Sequence, residues 1–262
     1  MKIFKANVSW SDSFQELVDC WNELGYCKVE KSTDSYSWID SDKKILLHEH
    51  DRVSNLPYFD FALFANEVIK QNNTRPWIYW PRFPKKLNSF IEDNHVKSYE
   101  SRGIKSIFVG CAENYIQYVN RTKYDWNLAV DEYDFNFNFS SNPHKYTNEE
   151  YLNTLSNCKF GLSLEGFGNK CQRDIEYMAL GVVPIFTWDT FNDYYEPLVE
   201  NKHYFYAKNP REVKEKINSC SRDQWEEMSK QCIDWYNRNC SIEGSFLTTL
   251  KILNEQTLIS NS

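Results

Sequence analysis

At 262 residues, with 41% hydrophobic and 26% charged content, the chain can bury one large core or two small ones and has the composition of a globular protein. A formal net charge of −7, with no long basic run, excludes general nucleic-acid binding, which needs a positive field. No apolar stretch approaches the length of a membrane span, so no transmembrane segment is expected. The start, MKIFKANVSWSDSF, lacks the apolar core of a signal peptide, and the expected compartment is the cytoplasm or the cytosolic face of a membrane.

In chain order, residues 1–5 (MKIFK) predict a first strand. Ser13 to Leu24 places Phe14, Leu17, Val18 and Trp21 on one stripe, with Gly25 as a stop, which predicts a helix. Lys44 to Leu47 (KILL) predicts a short buried strand running into His48-Glu49-His50-Asp51. A helix is expected over Phe59 to Lys70 and a strand over Trp77 to Trp80 (WIYW). Residues 81–103, polar and broken by prolines, are the expected linker. Ile104 to Val109 (IKSIFV) predicts a strand ending at Gly110, followed by a helix from about Glu113 to Arg121. Asp131 to Lys145, rich in Asn and Phe, reads as a loop, and Asn148 to Ser156 as a helix with Thr147 as N-cap. Late helices are predicted over Asn209 to Ser219, with Pro210 at its first position, over Arg222 to Asn237 and over Ser245 to Glu255. Short strands alternating with helices indicate an α/β fold with a parallel sheet. A linker near residue 90 gives two Rossmann-like halves, 1–95 and 96–262, with ligands expected at the carboxyl ends of the strands in a cleft between them.

The most informative stretch runs from the apolar segment Cys158 to Leu164 (CKFGLSL) through Glu165 to Thr187 (EGFGNKCQRDIEYMALGVVPIFT). It reads as strand, loop, helix, tight turn and strand. Backbone N–H groups at a helix N-terminus bind anions, and an Arg one turn inside can reach the same phosphate in a bidentate way. Arg173 is that Arg, and Glu176 on the same helix can accept hydrogen bonds from ribose hydroxyls. Gly166 and Gly168 would let a ligand approach the backbone, and Lys170 would add charge to the loop. Gly110 and Asn114, after the first strand of this half, form a second expected phosphate-side turn.

The segment resembles the donor-binding half of GT-B glycosyltransferases, and most closely the exostosin-like family. That family shows an apolar strand, a small loop, an Arg, a Glu soon after, and a Gly–hydrophobic–Val-Pro–hydrophobic ending. A second resemblance is to fucosyltransferases, whose strand before the loop is echoed by Lys159-Phe160-Gly161-Leu162-Ser163-Leu164-Glu165. The resemblance covers roughly residues 150–200. Many retaining GT-B enzymes carry EGFG with a second acid closer to it than Glu176 is to Glu165 here, so the chain departs from their pattern. The resemblance implies a compact GT-B-like fold and a transferase using a nucleoside diphosphate sugar, UDP before GDP, with a glycan hydroxyl as acceptor and inversion at the anomeric carbon. It implies no required cofactor or metal, with Arg and helix dipoles in the metal's place.

In an inverting transferase a base must take the acceptor proton. The candidates are Glu49, then Asp51, then His48, at the end of an N-terminal strand; a His-x-His metal site and a capped polar strand end are the competing readings. Asp40-Ser41-Asp42 has the D-x-D form of a metal-holding element but precedes a strand, and is expected to be a turn. Glu165 could contact the sugar or base, and Asp189 a sugar hydroxyl, while Trp188 and Tyr195 are expected to pack in the core. The 16% aromatic content, with 9 Trp and 17 Tyr, suits sugar faces and also fills cores. The 8 cysteines form no C-x-x-C pair, which argues against structural zinc. A non-catalytic nucleotide- or carbohydrate-binding protein is the reading from a different class. Richness in Asn, Lys, Tyr and Phe is the composition of an AT-rich genome, such as that of a large virus or a protist.

Overall fold

The computed structural model describes residues 2–7, 12–137, 146–189 and 191–259. Two compact units divide the chain: Met1–Asn88 with Asp193–Pro197 and Asn237–Ser262, and Ser89–Asn192 with Leu198–Tyr236.

The first unit is built on a six-stranded sheet of β1 (Ile3–Asn7), β2 (Lys28–Ser32), β3 (Ser37–Asp40), β4 (Ile45–His48), β5 (Phe61–Phe64) and β6 (Thr74–Pro76). The order is β2-β1-β3-β4-β5-β6, parallel except where β3 pairs antiparallel with β1 and β4. Helix α1 (Asp12–Glu23) buries the predicted stripe of Phe14, Leu17, Val18 and Trp21. The chain's last helix, α8 (Ile242–Ile259), belongs to this unit and is tied to it by tryptophans. Trp21 Nε1 donates to Ile242 O at 2.9 Å and to Ser245 Oγ at 3.0 Å, and Trp77 Nε1 donates to Thr249 Oγ1 at 2.8 Å. Buried Trp needs a partner for its N–H, and hydroxyls on one face of α8 supply it.

The second unit carries a five-stranded, wholly parallel sheet in the order β11-β10-β9-β7-β8. Its strands are β7 (Ile104–Ala112), β8 (Glu132–Phe137), β9 (Cys158–Ser163), β10 (Val183–Phe186) and β11 (Phe205–Tyr206). After α2 (Pro84–Asp93), which crosses the boundary between the units, come α3 (Tyr115–Thr122), α4 (Asn148–Ser156), α5 (Gln172–Ala179), α6 (Pro210–Ser219) and α7 (Arg222–Asn239). Local signals placed several of these. Thr147 and Glu150 form a reciprocal capping box at α4, and Pro210 opens α6 behind the N-cap Asn209. Gly181 has φ 66°, the left-handed turn that lets α5 stop and β10 begin at once.

Four expectations are corrected. Phe59 to Lys70 holds the strand β5, not a helix; a central parallel strand is covered on both faces, so FALF is buried throughout and shows no alternation. Trp77 to Trp80 is not a strand: β6 ends just before it, and both indoles go into the core, Trp80 Nε1 donating to Ser13 Oγ at 3.1 Å. The expected linker contains α2, opened by Pro84 and anchored by buried Leu87 and Phe90. In the expected loop from Asp131, Glu132–Phe137 is the edge strand β8, whose alternate Tyr133 and Phe135 pack on Phe108, while residues 138–145 lie outside the described residues. Strands β2, β3 and β11, short and half-exposed or brief, had no predicted counterpart.

Candidate functional site

In the second unit the first strand, β7, lies between the second, β8, and the third, β9. The order in which strands are added to the sheet therefore reverses between β7 and β9. In open parallel α/β sheets the loops on either side of such a point diverge and leave a crevice at the carboxyl ends of the strands. β7 last pairs with β9 at Ile107–Gly161, yet stays paired with β8 as far as Ala112–Phe137. Its final residues thus carry backbone carbonyls that β9 does not use.

Two buried arginines take those carbonyls. Arg173, in the first turn of α5, donates from Nη1 to Val109 O at 2.9 Å, and Arg121, in the last turn of α3, donates from Nη1 to Cys111 O. Alternate carbonyls of one strand point the same way, so the two guanidiniums lie along one edge of β7. Arg173 is 6% exposed and Arg121 5% exposed. The Arg173 guanidinium lies over the Phe108 ring at 4.6 Å. Arg173 Nε and Nη2 and Arg121 Nε are buried with no hydrogen-bond partner among the described residues. Buried donors of this kind are rare in native structures and expensive. Arginine keeps its charge even when buried; burial and the like charge of Arg173 lower the Arg121 pKa.

Asp174, next along α5, is 1% exposed and accepts from Ser163 Oγ at the end of β9 through Oδ1, while Oδ2 has no partner among the described residues. Burial pushes its carboxyl up to about 6, against the pull of Arg173. The N-cap of α5 is Cys171 in place of the usual Ser, Thr, Asp or Asn. Glu176 is buried and accepts from Tyr151 Oη of α4 at 2.8 Å.

The loop between β9 and α5 runs past Arg121. A methyl group at Gly166 would stand 3.4 Å from Arg121 Nη2, and Asn120 Nδ2 donates to Gly166 O at 3.4 Å. Trp188 Nε1 donates to Asn169 O at 3.3 Å and fastens the far side of the loop. Glu165 is half-buried, Gly168 and Lys170 are buried, and Phe167 is exposed. Gly110 is not in a turn: β7 continues through it, and a Cβ there would meet Arg173 Nη1 at 2.8 Å and Phe108 at 2.8 Å. Its missing side chain makes room for the guanidinium. Asn114 caps α3, accepting from Gln117 N at 3.0 Å. Asp189 is exposed and hydrogen-bonded to the Tyr206 hydroxyl, which raises the Tyr206 pKa.

In the first unit His48 closes β4, and Glu49, His50 and Asp51 follow. The His48 ring is fully buried, 4.8 Å from Phe64, 5.3 Å from His50 and 5.7 Å from Tyr36 by ring centroids. Burial, with the charge of His50, pushes its pKa down to about 4, which keeps it neutral. Glu49 is buried as well, accepting from Ser37 Oγ on β3 at 3.0 Å, and burial raises its pKa. Asp51 is exposed as a residue, but Asn66 Nδ2, beyond β5, donates to its Oδ1 at 2.8 Å, and desolvation of the carboxyl by burial raises its pKa. Among the described residues no cluster of three or more His, Cys, Asp or Glu is placed to hold a metal ion. Asp40 ends β3 and pairs with Lys5 at 3.3 Å, and Ser41 closes the turn onto Lys43.

Arg121, Ser163 and Asn66 had not been expected at a site. Arg121 reads in sequence as a last-turn basic residue complementing the helix dipole, and Asp174 as an ion-pair partner of Arg173. Only the strand order brings them together.

No family model matches the sequence, so the exostosin-like resemblance rests on residues 150–200 alone. No curated protein matches either. Among solved structures the chain is similar to an alpha1,3-fucosyltransferase solved with GDP-fucose, at 14% identity and a TM-score of 0.47, over 87% of this chain and 80% of that one. No helix among the described residues is long and apolar enough to cross a membrane.

Proposed function

We propose that the protein is a glycosyltransferase whose second unit holds the diphosphate of a nucleoside diphosphate sugar. One observation carries this reading. Arg121 and Arg173 are fixed side by side at the point where strand order reverses, with buried N–H groups that no atom among the described residues satisfies. A diphosphate is the natural complement, because its oxygens accept from several guanidinium N–H groups at once. It is also the leaving group in glycosyl transfer, so fixed positive charge stabilises the transition state more than the ground state. The resemblance of residues 150–200 to donor-binding segments supports the same assignment. UDP is the preferred nucleotide and GDP the alternative.

The acceptor base is assigned to Asp51 ahead of Glu49. A base must reach the hydroxyl it deprotonates, and Asp51 is exposed whereas Glu49 is packed against Ser37. In such a transfer the acceptor oxygen attacks the anomeric carbon as a base takes its proton, and the bond from that carbon to the diphosphate oxygen breaks. Calorimetric titration with UDP, GDP and CMP, each with EDTA and then with Mn²⁺, tests the donor reading. Metal-independent binding of UDP or GDP, weakened tenfold or more in Arg173→Ala, is the expected result. Wild-type affinity in that variant sinks the assignment. Donor hydrolysis or transfer that survives in Asp51→Asn removes Asp51 as the base.

A further inference from the structure

The donor site holds one buried polar atom of the opposite kind. Near Arg173 and Arg121, whose charges act on it, lies Asp174, with Oδ2 an acceptor that has no partner among the described residues, on a residue that is 1% exposed. Arg173 and Arg121 are the charged neighbours that act on this carboxyl most strongly, so donors and acceptor belong to one cluster. An anion with only acceptor oxygens satisfies the arginines and leaves Oδ2 facing another acceptor, with no proton between them.

We propose that Asp174 Oδ2 accepts a hydrogen bond from the bound ligand, so that the site selects an anion carrying an O–H beside its charged oxygens over one that offers acceptors alone. This rests on the anion-binding reading above and adds the ligand's hydrogen-bonding character to it. A site built around a hydrogen bond rejects analogues lacking the donor far more strongly than a site built on shape, because its buried acceptor is then left unpaired. The O–H has two chemical sources: a protonated phosphate monoester, or a sugar hydroxyl next to a phosphate diester.

The groups around Asp174 leave it the titrating member. Ser163 of β9 is already bonded to Oδ1, and Arg121 of α3 and Arg173 of α5 stay cationic. Burial pushes the pKa values of Cys171 at the N-cap of α5, Tyr177 of α5, Tyr133 of β8 and Tyr151 of α4 upward, so these keep their protons through the neutral range. Glu176 of α5 is engaged by Tyr151, and Cys111 of β7 and Lys170 of the loop are further buried titratable groups of the neighbouring elements. As pH falls through about 6, Asp174 gains a proton and becomes a donor, and the discrimination should relax.

Inorganic phosphate and sulfate are the direct probes, since at about pH 8 both are chiefly dianions of similar shape and only hydrogen phosphate carries an O–H. Competition against a fluorescent nucleotide should show phosphate binding the wild-type chain about tenfold or more tighter than sulfate. In Asp174→Asn the side-chain amide can donate, so sulfate should gain and the preference shrink to about twofold or less. Equal binding in the wild type, or an unchanged preference in the variant, overturns the proposal. A second arm needs no variant: sulfate keeps its charge between pH 8 and pH 5, and its affinity should rise about tenfold as Asp174 takes up its proton. A flat sulfate profile overturns the proposal even if Asp174→Asn fails to fold. UDP-glucose, whose diphosphate has no P–OH, separates the two sources. Weaker phosphate binding in Asp174→Asn assigns the donor to P–OH, weaker UDP-glucose binding assigns it to a sugar hydroxyl, and loss of neither overturns the idea. Failure of every anion, nucleotides included, to bind at any pH instead strikes the anion reading of the arginine pair.

Discussion

The second unit buries arginines at both edges of its sheet, and the two sets are treated in opposite ways. At the amino edge Arg102 is 1% exposed and every guanidinium nitrogen is used: Nη1 on Cys158 O at 2.6 Å, Nη2 on Leu180 O at 2.7 Å and Nε on Lys97 O at 3.1 Å. Its plane lies over Trp225 at 4.9 Å. At the carboxyl edge Arg173 and Arg121 are as deeply buried, yet each is held by one strand carbonyl with the remaining N–H groups wholly or partly unused. The same residue type thus serves as a structural cross-link where every guanidinium nitrogen is bonded and as a prepared binding group where some are not. Satisfaction, not burial, separates the two roles.

Four measurements break or sharpen this contrast. The largest effect belongs to Arg102→Ala, which orphans three carbonyls that tie β9, the end of α5 and the segment before β7; urea unfolding should show a loss of about 3 kcal/mol or more. A loss under about 1 kcal/mol would mean the amino-edge arginine is not the cross-link its geometry indicates.

Next comes the pH dependence of the carboxyl edge. Asp174 has a folded pKa of about 6 against 3.8 for the free group, so between these values the folded chain binds more protons than the unfolded one. Its stabilising contribution is fully present below pH 3.8 and is lost as pH rises through about 6, a change of roughly 3 kcal/mol at about 1.4 kcal/mol per pH unit. Asp174→Asn should therefore be more stable than the wild type at pH 7 and lose the advantage near pH 4. Parallel stability curves for the two proteins would show that Asp174 carries no such burden.

Arg173→Ala should weaken nucleoside diphosphate binding by about tenfold to a hundredfold, or roughly 1.5–3 kcal/mol, with little loss of stability compared with Arg102→Ala. A stability loss equal to that of Arg102→Ala would erase the distinction between the edges. The smallest expected effect is that of Gly166→Ala. Its methyl meets only Arg121 Nη2, at an ordinary 3.4 Å, so stability should stay within about 0.5 kcal/mol while ligand affinity falls a few-fold. Unchanged affinity would place the ligand away from Arg121.

Much of this unit was legible residue by residue. The order β9, loop, α5, turn, β10 follows from an apolar run, Gly166 and Gly168, an amphipathic helix and the Gly181 turn, all of which act over a few residues. Arg173 stood out for the same reason, one turn inside a helix after a glycine-containing loop. The glycines divided only on sight of the packing: Gly161 clears the Tyr177 ring and Gly110 clears Arg173, so neither is a ligand-approach glycine in a turn. The helix expected at Phe59 to Lys70 failed because a strand buried on both faces carries no period to read.

The sequence by itself determined an α/β chain with a nucleotide-type strand–loop–helix segment, the positions of α1 and α3 to α7, and Arg173 as the residue to watch. The tertiary structure alone decided that Arg121 lies on the same strand edge, that Asp174 is buried near the pair with an oxygen unused among the described residues, and that Arg102 is spoken for. Caps, turns and amphipathic stripes are set by neighbours a few residues apart. The order of strands in a sheet is set by which apolar faces can be buried together, and that order sets β7, which leads into α3, next to β9, which leads into α5.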